Sequence, residues 1–140
     1  MTDPTYRVLD HPADLYLELE AHDERELFVA AAQALYDLTV GDYAAPAAER
    51  LELEVEGRDL EHLLQRWLSE LLFVLDAQRI AVRQVEVTRL ETGRVSGSAQ
   101  GVRLADLQEP PKLEIKAATF HGLQIDRGDG KIVARVLFDV

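Results

Sequence analysis

The stretch RLELEVEGRDLEHLLQRWLSELLFVL, residues 50–75, decides the fold. In its first part Leu51, Leu53 and Val55 alternate with Glu52, Glu54 and Glu56, the period of a strand with one buried and one wet face. Gly57 breaks the alternation, and Asp59 is placed to cap a helix. From there Leu60, Leu63, Leu64, Trp67, Leu68, Leu71, Leu72 and Leu75 recur at steps of three and four, which predicts a long amphipathic helix. A lone tryptophan in such a stripe reads as a core anchor rather than a ligand platform. A strand feeding a helix that must bury a wide apolar face calls for a sheet beneath it.

Upstream, residues 5–9 predict a short strand, Pro12 fixes a turn over residues 10–13, and Leu15, Leu17 and Leu19 alternate with Tyr16, Glu18 and Glu20 on a second strand with one wet face. Asp23 and Glu26 have the spacing of a capping box. The helix they start carries Leu27, Phe28, Ala31, Leu35 and Leu38 on one face and stops at Gly41; residues 42–49 read as a loop. Downstream, residues 80–82 and 85–88 read as strand, Glu91-Thr92-Gly93 as a turn, and residues 94–99 as the returning arm of a hairpin. Residues 104–112, with Pro110 and Pro111, read as an exposed loop. Residues 113–120 and 122–126 read as two strands, and Asp129-Gly130 as a tight turn into a last strand over residues 131–138. The fold class that follows is α+β: a mostly antiparallel sheet with two helices packed on one face, an α/β sandwich in a single compact domain spanning residues 1–140.

Composition bounds the function. Apolar residues make up 47% of the 140, enough for a core, and no run of them is long enough to span a bilayer. The N-terminal residues lack a signal-peptide layout, so a cytoplasmic protein with no membrane partner is expected. With no cysteine, disulfides, thiolate zinc sites and a cysteine nucleophile are excluded. The net charge of −11, from 26 acidic and 15 basic residues, opposes strong direct binding to nucleic acid and favours hard cations and basic protein partners. It also serves solubility. There is no phosphate-binding glycine loop, dinucleotide fingerprint or nucleophile elbow, and the histidines at 11, 22, 62 and 121 lack zinc spacing.

What remains are carboxylates at strand ends. Asp14 stands where a turn enters a strand, and Asp139 where the last strand runs into Val140 and its α-carboxylate. If those strands are neighbours, the three groups converge and call for a hard cation such as Ca²⁺ or Mg²⁺. The alternative is that Asp14 caps its turn and Asp139 is solvated at a frayed end. Asp10 and His11 either orient Asp14 or build the turn. Lys116, expected to face away from residues 115, 117 and 119, is either a surface charge or a contact for an anionic partner group. His121, before Gly122, is either an acid–base group or part of a turn.

Together Leu9-Asp10-His11-Pro12-Ala13-Asp14, the helix segment Trp67-Leu68-Ser69-Glu70-Leu71-Leu72, Lys116-Ala117-Ala118-Thr119-Phe120-His121-Gly122-Leu123 and Val136-Leu137-Phe138-Asp139-Val140 resemble the archease family over nearly the whole chain. The resemblance implies a non-catalytic cofactor of the RtcB-type RNA ligase, which joins RNA ends in tRNA splicing and repair with GTP and manganese. Archease-like proteins promote guanylylation of that ligase and its multiple turnover. It further implies a divalent-metal site at Asp14, Asp139 and Val140, with Ca²⁺ the first expectation and Mg²⁺ or Mn²⁺ alternatives, and a partner-directed role for Lys116. Pro12 departs from the family's usual threonine, the strand after Asp14 is richer in leucine and glutamate, and residues 107–112 lack an Arg-His-Glu-like segment. Two other readings compete: a general chaperone-like modulator of nucleic-acid enzymes such as methyltransferases, and a small metal-dependent hydrolase built on Asp14, Asp139 and His121.

Overall fold

The computed structural model describes residues 4–9, 14–41 and 46–140. Among these the chain forms β1 (Thr5–Leu9), β2 (Leu15–Ala21), α1 (Glu24–Thr39), β3 (Glu49–Glu56), α2 (Leu60–Ala77), β4 (Ile80–Glu91), β5 (Arg94–Arg103), a short 3₁₀ turn (Leu104–Asp106), β6 (Ala117–Gly128) and β7 (Lys131–Asp139). The strands divide between two antiparallel sheets, ordered β1-β2-β7-β6 and β3-β5-β4. Both helices touch both sheets: α1 lies against β2 and β4, and α2 against β6, β3 and β4. One apolar cluster runs through all of them, so the α+β class holds with the core between helices and sheets.

The helices start as their caps dictate. Asp23 accepts the Glu26 amide at 2.8 Å, and Glu26 reaches back to the amide of His22, one residue ahead of the cap, at 2.9 Å. Asp59 accepts the His62 amide at 2.8 Å, and His62 Nδ1 returns the favour to the Arg58 amide at 3.1 Å. Gly41, at φ +81°, ends α1 in the left-handed region that L side chains avoid. Alanines at 30, 31, 32 and 34 are buried, which lets α1 sit close to its neighbours. Trp67 is fully buried, its ring edge-on to Phe28 at 5.6 Å and its indole N–H donating to the Phe28 carbonyl at 3.0 Å.

The later strands differ from the sequence reading in their breaks. Residues 80–88 belong to one strand, β4, with irregularities at Val82/Gln84 and Val87/Arg89. The strand expected from residue 113 begins at Ala117. Leu113 and Ile115 instead join the core from an irregular segment that follows Pro110-Pro111 and passes the end of α2, where amide-free prolines cannot continue a ladder. The side-chain alternation therefore resets: Ile115 is buried, Lys116 and Ala117 are exposed, and Ala118 is buried. The segment from Gly122 is no separate strand but the far part of β6, joined across a bulge between Thr119 and Gln124 that Gly122 accommodates at φ +72°. Asp129 and Gly130, at φ +54° and +73°, make the tight β6–β7 turn as expected. No helix among the described residues is long and apolar enough to cross a membrane.

Candidate functional site

The pairing of β2 with β7 positions the candidate carboxylates. Leu15 pairs with Phe138, Leu17 with Val136 and Leu19 with Ala134, and all except the half-buried Leu15 are buried. That inward row fixes the register, because a slip by one residue would turn it toward solvent. The last pair of that register, Leu15–Phe138, brings Asp14, the residue before β2, and Asp139, the last residue of β7, to the same end of the sheet, with Val140 next. Asp14 is half-buried and Asp139 exposed. On the far side of β7, Asp139 pairs with Ala117, and its carbonyl accepts the Lys116 amide at 2.7 Å. Lys116 thus reaches the carboxylate end through its backbone, with its side chain exposed.

Carboxylates gathered at one end of a sheet disfavour one another's charge. Their donor set, oxygen only, suits a hard divalent ion rather than zinc or copper. The residues present therefore fit the ion that the family resemblance implies, with the Val140 α-carboxylate as the third acidic group. Among the described residues no group of three or more His, Cys, Asp or Glu side chains gathers to hold a metal ion, at this end or at any other place. Asp10 and His11 lie outside the described residues.

His121 is not brought to this end. It sits in the β6 bulge, further into the sheet than the Thr119–Leu137 pair, with its side chain exposed. Its neighbour Phe120 is 44% exposed, 5.4 Å from the His62 ring and under the Arg58 guanidinium at 5.5 Å. The strand just ahead of the bulge is tied to α2 by Gln65, whose amide donates to the Ala118 carbonyl at 3.0 Å.

One group on the same face of β2 and β7 escaped the sequence reading. Glu18, expected on a wet face, is only 8% exposed. Arg7 of β1 donates to it at 2.7 Å and Arg135 of β7 at 3.0 Å, and Arg135 continues to Asp126 of β6 at 3.3 Å. The row crosses the whole sheet, and the two arginines cover the carboxylate between them. The Arg7 hydrogen bond holds the Glu18 carboxyl below its usual range; burial opposes this, and the Arg7 charge and the Arg135 contact add to it. Alternation of charge with leucine was visible in the sequence, but which strands would flank Glu18 was not.

The sequence model of the archease protein family matches residues 6–140. The chain is 38% identical over 138 residues to the protein archease of Archaeoglobus fulgidus, covering 96% of this chain and 98% of that one. The solution structure of protein 1598 of Methanobacterium thermoautotrophicum superposes with a TM-score of 0.72 at 30% identity, covering 96% of this chain and 98% of that one. A crystal structure of an archease from Thermotoga maritima, described as a possible chaperone, shares the fold with a TM-score of 0.67 at 19% identity, covering 94% of each chain.

Proposed function

Because the chain belongs to the archease family, we propose that it is a non-catalytic cofactor of an RtcB-type RNA ligase, promoting the ligase's guanylylation and multiple turnover in tRNA splicing and RNA repair. The observation that supports this reading is the pairing of β2 with β7, whose last pair, Leu15–Phe138, brings the two ends of the chain to one end of the sheet. Asp14, Asp139 and Val140 would hold a divalent ion, Ca²⁺ first and Mg²⁺ or Mn²⁺ next. Such an ion supplies a compact positive charge at an acidic end. Around it the chain's own groups do the positioning. Phe138 fills the core directly behind Asp139, and the Lys116 amide holds the Asp139 backbone. The Lys116 side chain is directed to an anionic group of the ligase. The net charge of −11 steers the whole molecule toward a basic cleft, such as an RNA-binding enzyme offers. A cytoplasmic location accords with this partner.

The description of the Thermotoga relative as a possible chaperone supports a coarser second reading, a general modulator of nucleic-acid enzymes. The hydrolase reading loses support, since His121 stands on the β6 bulge and not with the two aspartates.

The test follows guanylylation of the cognate ligase with GTP and a divalent ion, with and without the protein, comparing wild type with Asp14→Ala and Asp139→Ala. Acceleration by wild type that both folded variants lose is the expected result. No acceleration by wild type sinks the ligase reading. Acceleration that survives in both variants leaves the activator and removes the metal from its action.

A further inference from the structure

The two sheets have four edges, and three of them are defended against further pairing. β1 is five residues long. β6 is interrupted by its bulge and capped at Ala118 by Gln65. β4 carries two irregularities, and the Arg25 guanidinium holds its Val87 carbonyl. Bulges, short length and covering side chains are the usual means of blunting an edge.

β3 has none of these. Its eight residues pair with β5 without a register shift, and among the described residues no backbone bond reaches its other side. The Gly57 amide donates to the Gly93 carbonyl at 3.0 Å, one step past the Glu56–Arg94 pair. By the alternation of antiparallel ladders, the odd-numbered residues of β3 are then the ones bonded to β5. The amides and carbonyls of Arg50, Glu52, Glu54 and Glu56 face the open edge. The side chains of the same four residues are exposed, while Leu53 and Val55 are buried. Glu54 and Glu56 share Arg94, and Glu52 has no cation partner among the described residues.

Charge decides the occupant. A second copy pairing β3 to β3 would set glutamates against glutamates, which destabilises a ladder. A strand with lysine or arginine at alternate positions would meet the same glutamates favourably and present apolar residues beside Leu53 and Val55. We infer that β3 is a docking edge for an extended, basic–apolar alternating segment of a partner protein, added as a strand to the β3-β5-β4 sheet. This goes beyond the ligase reading and needs neither the metal nor the ligase for its test.

The probe is a peptide as long as β3, eight residues, alternating lysine with valine. Its binding is followed by fluorescence anisotropy and by amide exchange of the full chain. Slowed exchange at Glu52, Glu54 and Glu56 is expected, with no slowing for a glutamate–valine peptide. Glu54→Pro removes an edge-facing amide without breaking a β5 bond, so it should weaken binding by about tenfold. Glu52→Lys should weaken it too, and high salt should diminish the wild-type affinity. Protection on another strand, full binding by folded Glu54→Pro, no protection at saturating peptide, or a β3-paired dimer of the chain alone each overturns the proposal.

Discussion

Two stations on one face of β2 and β7, at Glu18 with Arg135 and at Asp14 with Asp139, obey opposite electrostatics. The first is a pair of the β2–β7 register, and the second lies at the end of that ladder. At the first, a carboxylate sits between two guanidiniums and is covered by them. At the second, four residues along each strand, two acids lie at the same end of the sheet. A sheet tolerates the first on its own account, whereas carboxylates gathered at one end favour a cation beside them. The contrast sets a charge used for architecture beside one that the proposed function assigns to a ligand, on one pair of strands.

The largest way to break this contrast is to remove what holds both stations in register. Phe138→Ala empties a fully buried site between Asp139 and the core, and should cost about 3–5 kcal/mol in urea unfolding. The next sharpens the acidic station. Ca²⁺ at a hundredfold excess over its Kd should stabilise the wild type by about 2.7 kcal/mol, seen as a raised Tm that a chelator reverses and that Asp14→Ala lacks. An equal rise in Asp14→Ala would assign the ion to another place.

Glu18→Gln comes third, at about 2 kcal/mol near neutral pH, because it removes a charge-assisted bond from each arginine. Its pH dependence has a definite sign. The Glu18 carboxyl lies below its ordinary value in the folded chain, so its contribution is complete above the unfolded value of about 4.3 and is lost as pH falls through the folded value. Wild type and Glu18→Gln should therefore converge in acid; a gap that persists there would mean that packing, not charge, holds the row. The smallest effect has the reverse sign. Without divalent ions, Asp139→Asn should stabilise the chain by up to about 1 kcal/mol by lowering the negative charge at this end of the sheet. A loss of stability instead would show that the acidic station is compensated from within the protein.

The sequence carried the local structure well where side-chain period and caps coincide. α2, with Asp59 ahead of its leucine stripe, and β3, with its strict alternation, stand close to where the pattern puts them. It carried less where the backbone departs from period. The irregular residues before Ala117 hold apolar side chains in the core without strand geometry, so alternation alone sets Lys116 away from Ile115 but misplaces the facing of Ala117 and Ala118. The site was half legible. Asp14 and Asp139 stood out as acids at strand ends, but the pairing of β2 with β7 that brings those ends together is a contact between the two ends of the chain that no local pattern encodes. Glu18 was hidden for the same reason, since Arg7 and Arg135 reach it from two different strands.

The chain's single tryptophan gives the molecule a built-in spectroscopic reporter of limited scope. Trp67 sits dry at the joint of the two helices with its indole N–H committed to Phe28, so its emission should be blue-shifted while that joint is intact. The Asp14–Asp139 end and the β3 edge are both built from groups outside that joint. Light from the indole therefore follows unfolding and stays silent on occupancy of either surface. Signals for those surfaces must come from the backbone amides or from a label.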